Sequence, residues 1–288
     1  MKFSLLFSSA IFATSIFAAP VDVEIGTTSK HSSKTHSPKV HSPEIHSTKV
    51  QSRLQSHPLI PETEASPDAT GVQYSTNWAG AVLTAPPAGS TFNAISGTFT
   101  VPKPSVPSGK TGTYSGAAWI GIDGDTYSKA ILQAGVQWSV DNSGGSPSYS
   151  VSAWHEWFPA PSINFGAMAV KVGDEISLSI TSQSKSKGTI VIKNISSGQS
   201  ITKSISAPSS TGVLGGQNAE WIVEDFSEGS SLVPFANFNT VTFSDATAGT
   251  SAGETVSPSG STIIDIKKGS TVFTSASTSG NTVTVSYT

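Results

Sequence analysis

The chain has 288 residues and a formal net charge of −3, which is enough for one large β domain or two small ones and gives no sign of nucleic-acid binding. Cysteine is absent, so disulfides, thiol catalysis and cysteine-based metal sites are excluded. Charged residues are only 12%, and the many β-branched residues in short alternating runs argue against a helical protein.

The first 19 residues have the features of a secretory signal peptide. Met1 and Lys2 form a short basic start, and residues 5–17 form an apolar run too short to be a stable membrane anchor. Ala18 and Ala19 are small residues suited to a cleavage site. We therefore predict a signal peptide over residues 1–19 and a secreted, extracellular protein that is not bound to a membrane.

Residues 20–70 form a low-complexity segment rich in His and Ser. His31, His36, His41 and His46 recur every fifth residue, and each is followed by Ser. Few large apolar residues are available, so the segment has no core of its own. We interpret it as a removable pro-segment that inhibits its own chain. A disordered linker or a metal-binding His tract are the alternatives.

The same segment could respond to acid. Fixed charges balance before residue 71, so its five His residues, the fifth being His57, decide its net charge. They are mostly neutral at pH 7 and mostly protonated at pH 5, given an ordinary pKa of about 6.5. We hypothesise that the segment keeps the precursor inactive near neutral pH and leaves in acid.

Residues 71–288 are predicted to form a β domain without any helix longer than a turn or two. Gly, Pro, Ser and Asn separate many short alternating runs, which indicates an antiparallel sandwich or barrel. The expected strands cover residues 91–101, 114–122, 129–140, 148–158, 168–172, 175–181, 189–195, 200–206, 219–226, 237–244, 262–266 and 281–287.

Two carboxylates share one face of the strand at 219–226. With a period of two, the residues separate into a core-facing set of Ala219, Trp221 and Val223 and an opposite set of Glu220, Ile222, Glu224 and Phe226. Carboxylates in apolar company usually have a partner or a role.

Two more strands repeat this pattern. Gln133 and Gln137 oppose an apolar face, and Ser152, Trp154, Glu156 and Phe158 share the other side of their strand. Together they suggest the floor of a groove, although a solvated polar face with core tryptophans is the alternative.

Other catalytic chemistries are disfavoured. Only His155 follows residue 70, whereas a zinc peptidase usually needs two or more His ligands, so we expect no metal. Residues 249–253 match the G-x-S-x-G pattern of serine hydrolases but lack the helix that this motif requires. Asp123 and Asp125 indicate a tight turn rather than a calcium loop. Carboxylates and amides remain as candidates.

Five stretches together resemble the glutamic peptidases, or eqolisins, particularly the aspergilloglutamic peptidase type. The similarity runs from about Tyr74 to the C-terminus. The stretches are YSTNWAGA at 74–81, WIGIDGDT at 119–126, AILQ at 130–133, WHEWFP at 154–159 and NAEWIVEDF at 218–226.

The resemblance implies a fold, an activity and a set of residues. The fold is a sandwich of two long, curved antiparallel sheets, of a concanavalin-like or jelly-roll-like kind, and the activity is acid cleavage of peptide bonds by a chain made as a precursor. The family's catalytic pair falls on Gln133 and Glu224. Its substrate-groove residues fall on Trp78, Trp154, Glu156 and Phe158. The chain departs from the family at Gln137 and Ser152, where Asp is common.

The residue types suit hydrolysis without a cofactor or covalent intermediate. An ionised Glu224 can take a proton from water, and the Gln133 amide offers one donor for an oxyanion and one acceptor for the water. A free Glu titrates near about 4.3, so such a base remains usable in acid. We expect polypeptide substrates and a monomer. A glycoside hydrolase using Glu156 and Glu224, and a lectin-like binding module, are the alternatives.

Overall fold

The structure, a computed structural model, describes residues 54–62 and 71–288, which belong to one compact unit spanning Val50–Thr288. The predicted signal peptide and the His repeat at 31–46 lie outside the described residues. In the described part every regular element is a β-strand. That part holds no helix with the length and apolarity needed to cross a membrane.

The strands follow one another along the chain from residue 73 to residue 287. They are β1 Gln73–Ser75, β2 Trp78–Leu83, β3 Phe92–Thr100, β4 Thr113–Ile122, β5 Ile131–Asp141, β6 Ser148–Phe158, β7 Ile163–Asn164, β8 Glu175–Ser184, β9 Lys187–Asn194, β10 Gln199–Ser206, β11 Ala219–Glu224, β12 Ser227–Glu228, β13 Ser231–Leu232, β14 Thr240–Thr250, β15 Thr255–Val256, β16 Thr262–Lys268, β17 Thr271–Val272, β18 Thr274–Ser279 and β19 Thr282–Tyr287.

Two large sheets form a β-sandwich, which confirms the predicted fold class. The first, here called the groove sheet, has the order β1-β16-β2-β11-β4-β5-β6-β7, with β17 beside β16. The second, the back sheet, has the order β10-β9-β8-β3-β14-β19-β18, with β15 beside β14. Neighbours are antiparallel except β1 and β16, which run parallel.

The main hydrophobic core lies between the sheets. The groove sheet contributes Trp138 and Trp221, and the back sheet contributes Phe99 and Phe243, whose rings meet edge to face at 5.2 Å. The Trp221 indole also donates a hydrogen bond of 2.8 Å to the Ser96 carbonyl in β3, so it links the two layers. With no disulfide available, this aromatic core supplies the stability of the domain.

The strand predictions were wrong in several places, and the unpredicted strands include β18 and the short strands β1, β7, β12, β13, β15 and β17. Residues 168–172 were expected to be a strand but form none, and Lys171 and Asp174 instead close a turn through a backbone hydrogen bond. The strand β2 was missed because its sequence, WAGAVL, does not alternate polar and apolar residues. All six of its residues are buried, since the groove sheet is covered on both faces there.

A buried carboxylate holds the loop that precedes β11. Asp123, at the end of β4, accepts hydrogen bonds from the backbone N–H groups of Gly215, Gly216, Gln217 and Asn218, at 2.7, 2.9, 2.7 and 3.3 Å. Burial raises the pKa of Asp123, and these four donors lower it in part. The clamp fixes where β11 begins.

Asn194, Ile195 and Ser196 match the N-glycosylation sequon, but the Asn194 side chain offers no free amide in the folded chain. Asn194 is buried, and its Nδ2 donates to the Ala169 carbonyl at 3.1 Å and to Asp174 Oδ2 at 2.8 Å. Its Oδ1 accepts from the Ser197 N–H at 3.1 Å. The side chain therefore has a structural role.

Candidate active site

The outer face of the groove sheet, which points away from the main core, carries the predicted catalytic pair. Glu224 on β11 lies opposite Trp78 on β2 and Ala117 on β4. Gln133 on β5 lies opposite Gly121 on β4 and Glu156 on β6. The predicted alternation of β11 is confirmed, because Ala219, Trp221 and Val223 enter the main core. Glu224 and Gln133 thus share the outer face from different strands.

Trp119 lies within the site and contacts the Glu224 carboxylate. Its indole Nε1 donates to Glu224 Oε2 at 2.8 Å, and its ring meets Trp78 edge to face at 4.9 Å. The ring needs glycine at Gly121, where a Cβ would come within 2.9 Å of its Cζ3 atom, and a Cβ at Gly135 would come within 2.5 Å of Trp119 Cβ. Trp119 was not predicted as a site residue, because it stands in an apolar run typical of core.

Glu156 orients the amide of Gln133. The Gln133 Nε2 donates to Glu156 Oε2 at 3.1 Å, and both side chains are buried. The amide nitrogen therefore faces β6, while the amide oxygen turns toward Glu224 and its neighbour Ser56. Glu156, expected to line the groove, contacts Gln133 directly.

Residues 54–62 occupy this face at its centre. The Ser56 hydroxyl donates to Glu224 Oε2 at 2.5 Å and lies 3.3 Å from Gln133 Oε1. The His57 N–H donates to Glu224 Oε1 at 3.3 Å. Ser56 is completely buried. The C-terminal part of the predicted pro-segment therefore covers the predicted catalytic pair.

The backbone of this segment is bound on both sides of Ser56. Gln55 exchanges two backbone hydrogen bonds with Ser227, at 3.0 and 3.1 Å, and the Leu54 carbonyl accepts from Ser162 Oγ at 2.5 Å. Leu54 itself is buried in an outer apolar cluster that lies apart from the main core.

The other half of the segment is bound mainly through Asn77 and Trp78. The Trp78 Nε1 donates to the His57 carbonyl at 3.0 Å. The Asn77 amide accepts from the Ile60 N–H at 2.9 Å and donates to the His57 and Pro58 carbonyls at 3.4 and 3.3 Å. Asn77 was also not predicted as a site residue. In the segment it binds only backbone atoms, as expected for a site that accepts many sequences.

The two remaining predicted groove residues lie on the same face. Trp154 is buried in the outer apolar cluster with Trp78 and Trp119. Phe158 is half-buried and meets the ring of His57 edge to face at 6.3 Å. All six predicted site residues are therefore brought together, although Trp154 is packed rather than open.

Gln137 and Ser152 lie opposite each other on β5 and β6, in the same row across the sheet as Glu224. Gln137 Oε1 and Ser152 Oγ are buried and have no hydrogen-bond partner among the described residues. This row thus carries two uncharged groups where the resemblance leads one to expect carboxylates.

Burial raises the pKa of every carboxyl group on this part of the sheet. The pKa of Glu224 rises to about 7, although hydrogen bonds from Ser56, Trp119 and His57 oppose the rise. The pKa of Glu156 is raised by burial and then by the charge of Glu224. Burial also raises the pKa of Asp225 to about 6, despite its ion pair with Lys268. The ordinary Glu pKa assumed from sequence does not hold while the segment covers the site.

Glu220 is the most isolated of these groups. It is fully buried, and neither of its carboxyl oxygens has a hydrogen-bond partner in the part of the chain that the structure describes. Burial raises its pKa well above the usual range, and the charges of Asp123 and Asp125 add to the rise. The described ranges contain no group of three or more His, Cys, Asp or Glu residues that could hold a metal ion.

The fold and this site match a known family. Residues 76–287 match the description of the Peptidase A4 family. The chain belongs to the Peptidase A4 family. Aspergillopepsin-2 of Aspergillus niger is 42% identical, with 76% of this chain and 79% of that protein covered. Scytalidopepsin B of Scytalidium lignicola is 39% identical, over 76% of this chain and 81% of that protein.

Solved structures of glutamic peptidases are similar to this chain in fold and sequence. Scytalido-glutamic peptidase with a transition state analog inhibitor has a TM-score of 0.64 at 38% identity, covering 74% of this chain and 98% of that one. Aspergilloglutamic peptidase from Aspergillus niger has a TM-score of 0.55 at 44% identity, covering 61% and 99%. These matches confirm the predicted family, and the chain is a glutamic-type endopeptidase rather than a glycoside hydrolase or a lectin-like module.

Raised carboxyl pKa values predict a fold that is more stable in acid. Protons bound by Glu220, Glu156, Glu224 and Asp225 in the folded chain are released on unfolding. The stability they contribute is therefore full below the unfolded pKa, which is 4.5 for the three Glu residues and 3.8 for Asp225, and is lost as pH rises through each folded pKa. His155 acts oppositely, because burial lowers its pKa to about 4 and acid protonates the unfolded chain first.

The Glu220→Gln variant tests this. One titrating group changes the free energy of unfolding by at most about 1.4 kcal/mol per pH unit. We expect urea unfolding of the full chain to show stability falling from pH 5 to pH 8, and Glu220→Gln to make that fall shallower. Replacing the exposed Glu254 by Gln is the control. An equal slope in all three chains would contradict the burial argument.

Proposed function

We propose that the chain cleaves peptide bonds by direct attack of a water molecule held between Glu224 and Gln133. The position of the Ser56 hydroxyl supports this, since one oxygen atom lies within reach of both Glu224 Oε2 and Gln133 Oε1. A water in that place could donate one hydrogen to each acceptor. Glu224 would take the proton as general base while the water oxygen attacks the carbonyl carbon.

Gln133 would then stabilise the charge that develops on the carbonyl oxygen. Its Nε2–H is the donor for this oxyanion, and Glu156 holds the amide so that its nitrogen and oxygen point in defined directions. The proton gained by Glu224 passes to the leaving nitrogen, the C–N bond breaks, and no covalent intermediate forms. Trp119 positions the Glu224 carboxylate through its indole N–H.

The substrate would bind in the groove that residues 54–62 now occupy, with Trp78, Glu156 and Phe158 along it and Trp154 beneath. We further propose that these residues are part of a pro-segment that inhibits a secreted precursor, because they bury Glu224 and Gln133 completely. Removing the segment would let water reach Glu224. With its burial relieved, the pKa of Glu224 falls and the group becomes an ionised base in acid.

Protonation of His57 and protonation of the groove carboxylates have opposite effects on the docking of residues 54–62. Burial lowers the pKa of His57 in the docked segment, so protonation of His57 weakens docking as pH falls. Burial raises the pKa of Glu224 and Glu156, so their protonation favours the docked state in acid. Acid release as proposed from the sequence must therefore come from His residues, and the groove carboxylates oppose it.

Replacing Glu224 by Gln tests the proposed base. The amide keeps the size of the side chain and its hydrogen bond with Trp119 but takes no proton from water. We expect hydrolysis of a denatured protein at acidic pH to fall by several orders of magnitude with the fold intact. Near-normal turnover in a folded Glu224→Gln chain would contradict the mechanism.

Replacing Gln133 by Ala tests the oxyanion donor. We expect turnover to fall roughly 10²- to 10³-fold, as for the loss of one such donor elsewhere. The comparison variant is Glu156→Gln, which retains an oxygen that accepts from Gln133 and should lose less. Rates are compared at equal folded fraction. A silent Gln133→Ala beside an inactive Glu156→Gln would support a carboxylate pair instead.

Replacing His57 by Gln tests which His senses acid. Conversion of the precursor, followed on gels from pH 7 to pH 3, should move to lower pH because the variant lacks the proton that weakens docking. The matched variant replaces His31, His36, His41 and His46 by Gln. If the pH of conversion shifts only in that variant, the repeat is the sensor. If it shifts in neither variant, these His residues do not sense acid.

A further inference from the structure

The Ser56 hydroxyl occupies the position that the reaction requires for water. Its oxygen lies 2.5 Å from Glu224 Oε2 and 3.3 Å from Gln133 Oε1. A water molecule placed at this position would overlap the hydroxyl oxygen. A docked segment and an attacking water are therefore mutually exclusive, and this exclusion depends on one side-chain atom.

The Glu224 carboxylate has little remaining capacity to hold a water elsewhere. Oε2 accepts from the Ser56 hydroxyl and from Trp119 Nε1, which uses both of its lone pairs. Oε1 accepts from the His57 N–H at 3.3 Å. The base is thus bonded on both oxygens, and two of its three donors come from the segment.

The segment cannot shift to readmit water without breaking its backbone bonds. Gln55 is paired with Ser227 before Ser56, and the His57 carbonyl is bound by Trp78 after it. These contacts engage backbone atoms, which any peptide would provide. The Ser56 hydroxyl is the one side-chain group of residues 54–62 that touches the catalytic pair in the described structure.

We propose that Ser56 acts as a substitute for the attacking water, so that peptides with this serine between Leu-Gln and His-Pro are ligands of the mature enzyme and are not cleaved. This inference rests on the proposed roles of Glu224 and Gln133. It names a class of ligand for the groove: a peptide whose hydroxyl side chain displaces the nucleophile while its backbone is bound as a substrate's would be.

The test uses synthetic peptides of residues 54–62 and the enzyme obtained by acid conversion of the full chain. The parent peptide, LQSHPLIPE, should inhibit hydrolysis of a denatured protein competitively and remain intact by mass spectrometry. Ser56→Ala and Ser56→Gly peptides should inhibit about 5- to 100-fold less well, which spans the loss of one neutral to one charge-assisted hydrogen bond. An Ile60→Ala peptide is the control. This change removes more atoms than Ser56→Ala does, but Ile60 is 41% exposed, so inhibition should weaken less.

A folded Glu224→Gln enzyme supplies a second measurement. The affinities of the parent and Ser56→Ala peptides for that enzyme are measured by direct binding. Because Ser56 and Glu224 would be coupled, the difference between these two affinities should be smaller than with the unchanged enzyme. An unchanged difference would overturn the proposal.

The remaining outcomes are also decisive. Equal inhibition by the parent, Ala and Gly peptides would overturn the water substitute while leaving the inhibitory segment intact. Cleavage of the parent peptide at Ser56 would make the segment a substrate and would also overturn it. A parent peptide that does not inhibit at all would reject the inhibitory role together with the water substitute. None of these results touches the general base, which Glu224→Gln tests separately.

Discussion

The register of β11 between β2 and β4 determines where Glu224 lies on the groove sheet. Side chains alternate between the two faces of a strand, so a slip of one residue would send Glu224 into the core and Val223 to the groove. Asp123 opposes this slip by accepting hydrogen bonds from four consecutive N–H groups just before the strand. A shifted register would leave these buried donors without their acceptor, which costs free energy. The position of Glu224 thus depends on a second carboxylate, that of Asp123 at the end of β4.

The period of two in β5, β6 and β11 was sufficient to assign faces from sequence. The core sets built on Trp138 and Trp221 are as expected, and Gln133, Glu156 and Glu224 lie together on the opposite face. The order of the strands across the sheet was not predictable, because pairing partners leave no periodic signal. Nor was β2, which is buried on both faces and therefore lacks alternation.

The docking of residues 54–62 and the place of Trp119 in the site could not be predicted from sequence patterns either. The segment at 54–62 binds mostly through backbone groups, which are the same in every residue and leave no pattern to detect. Trp119 stands in an apolar run typical of core residues, and only Gly121, which leaves room beside its ring, departs from that pattern. An inhibitory pro-segment was predicted, but not that residues 54–62 dock over Glu224, so the pKa of Glu224 that this burial raises could not be predicted either.

The last residues of the segment lie beside the first strand of the domain. The Glu62 N–H donates to the Tyr74 carbonyl at 3.0 Å, and Pro61 bridges to Ser75. If the chain is cut between residues 62 and 71, these contacts need not break, and the severed segment becomes a separate ligand. Its effective concentration, set until then by a short tether, falls to that of the surrounding solution. Dilution of the severed segment would then lower its occupancy of the groove, which the cut alone does not change.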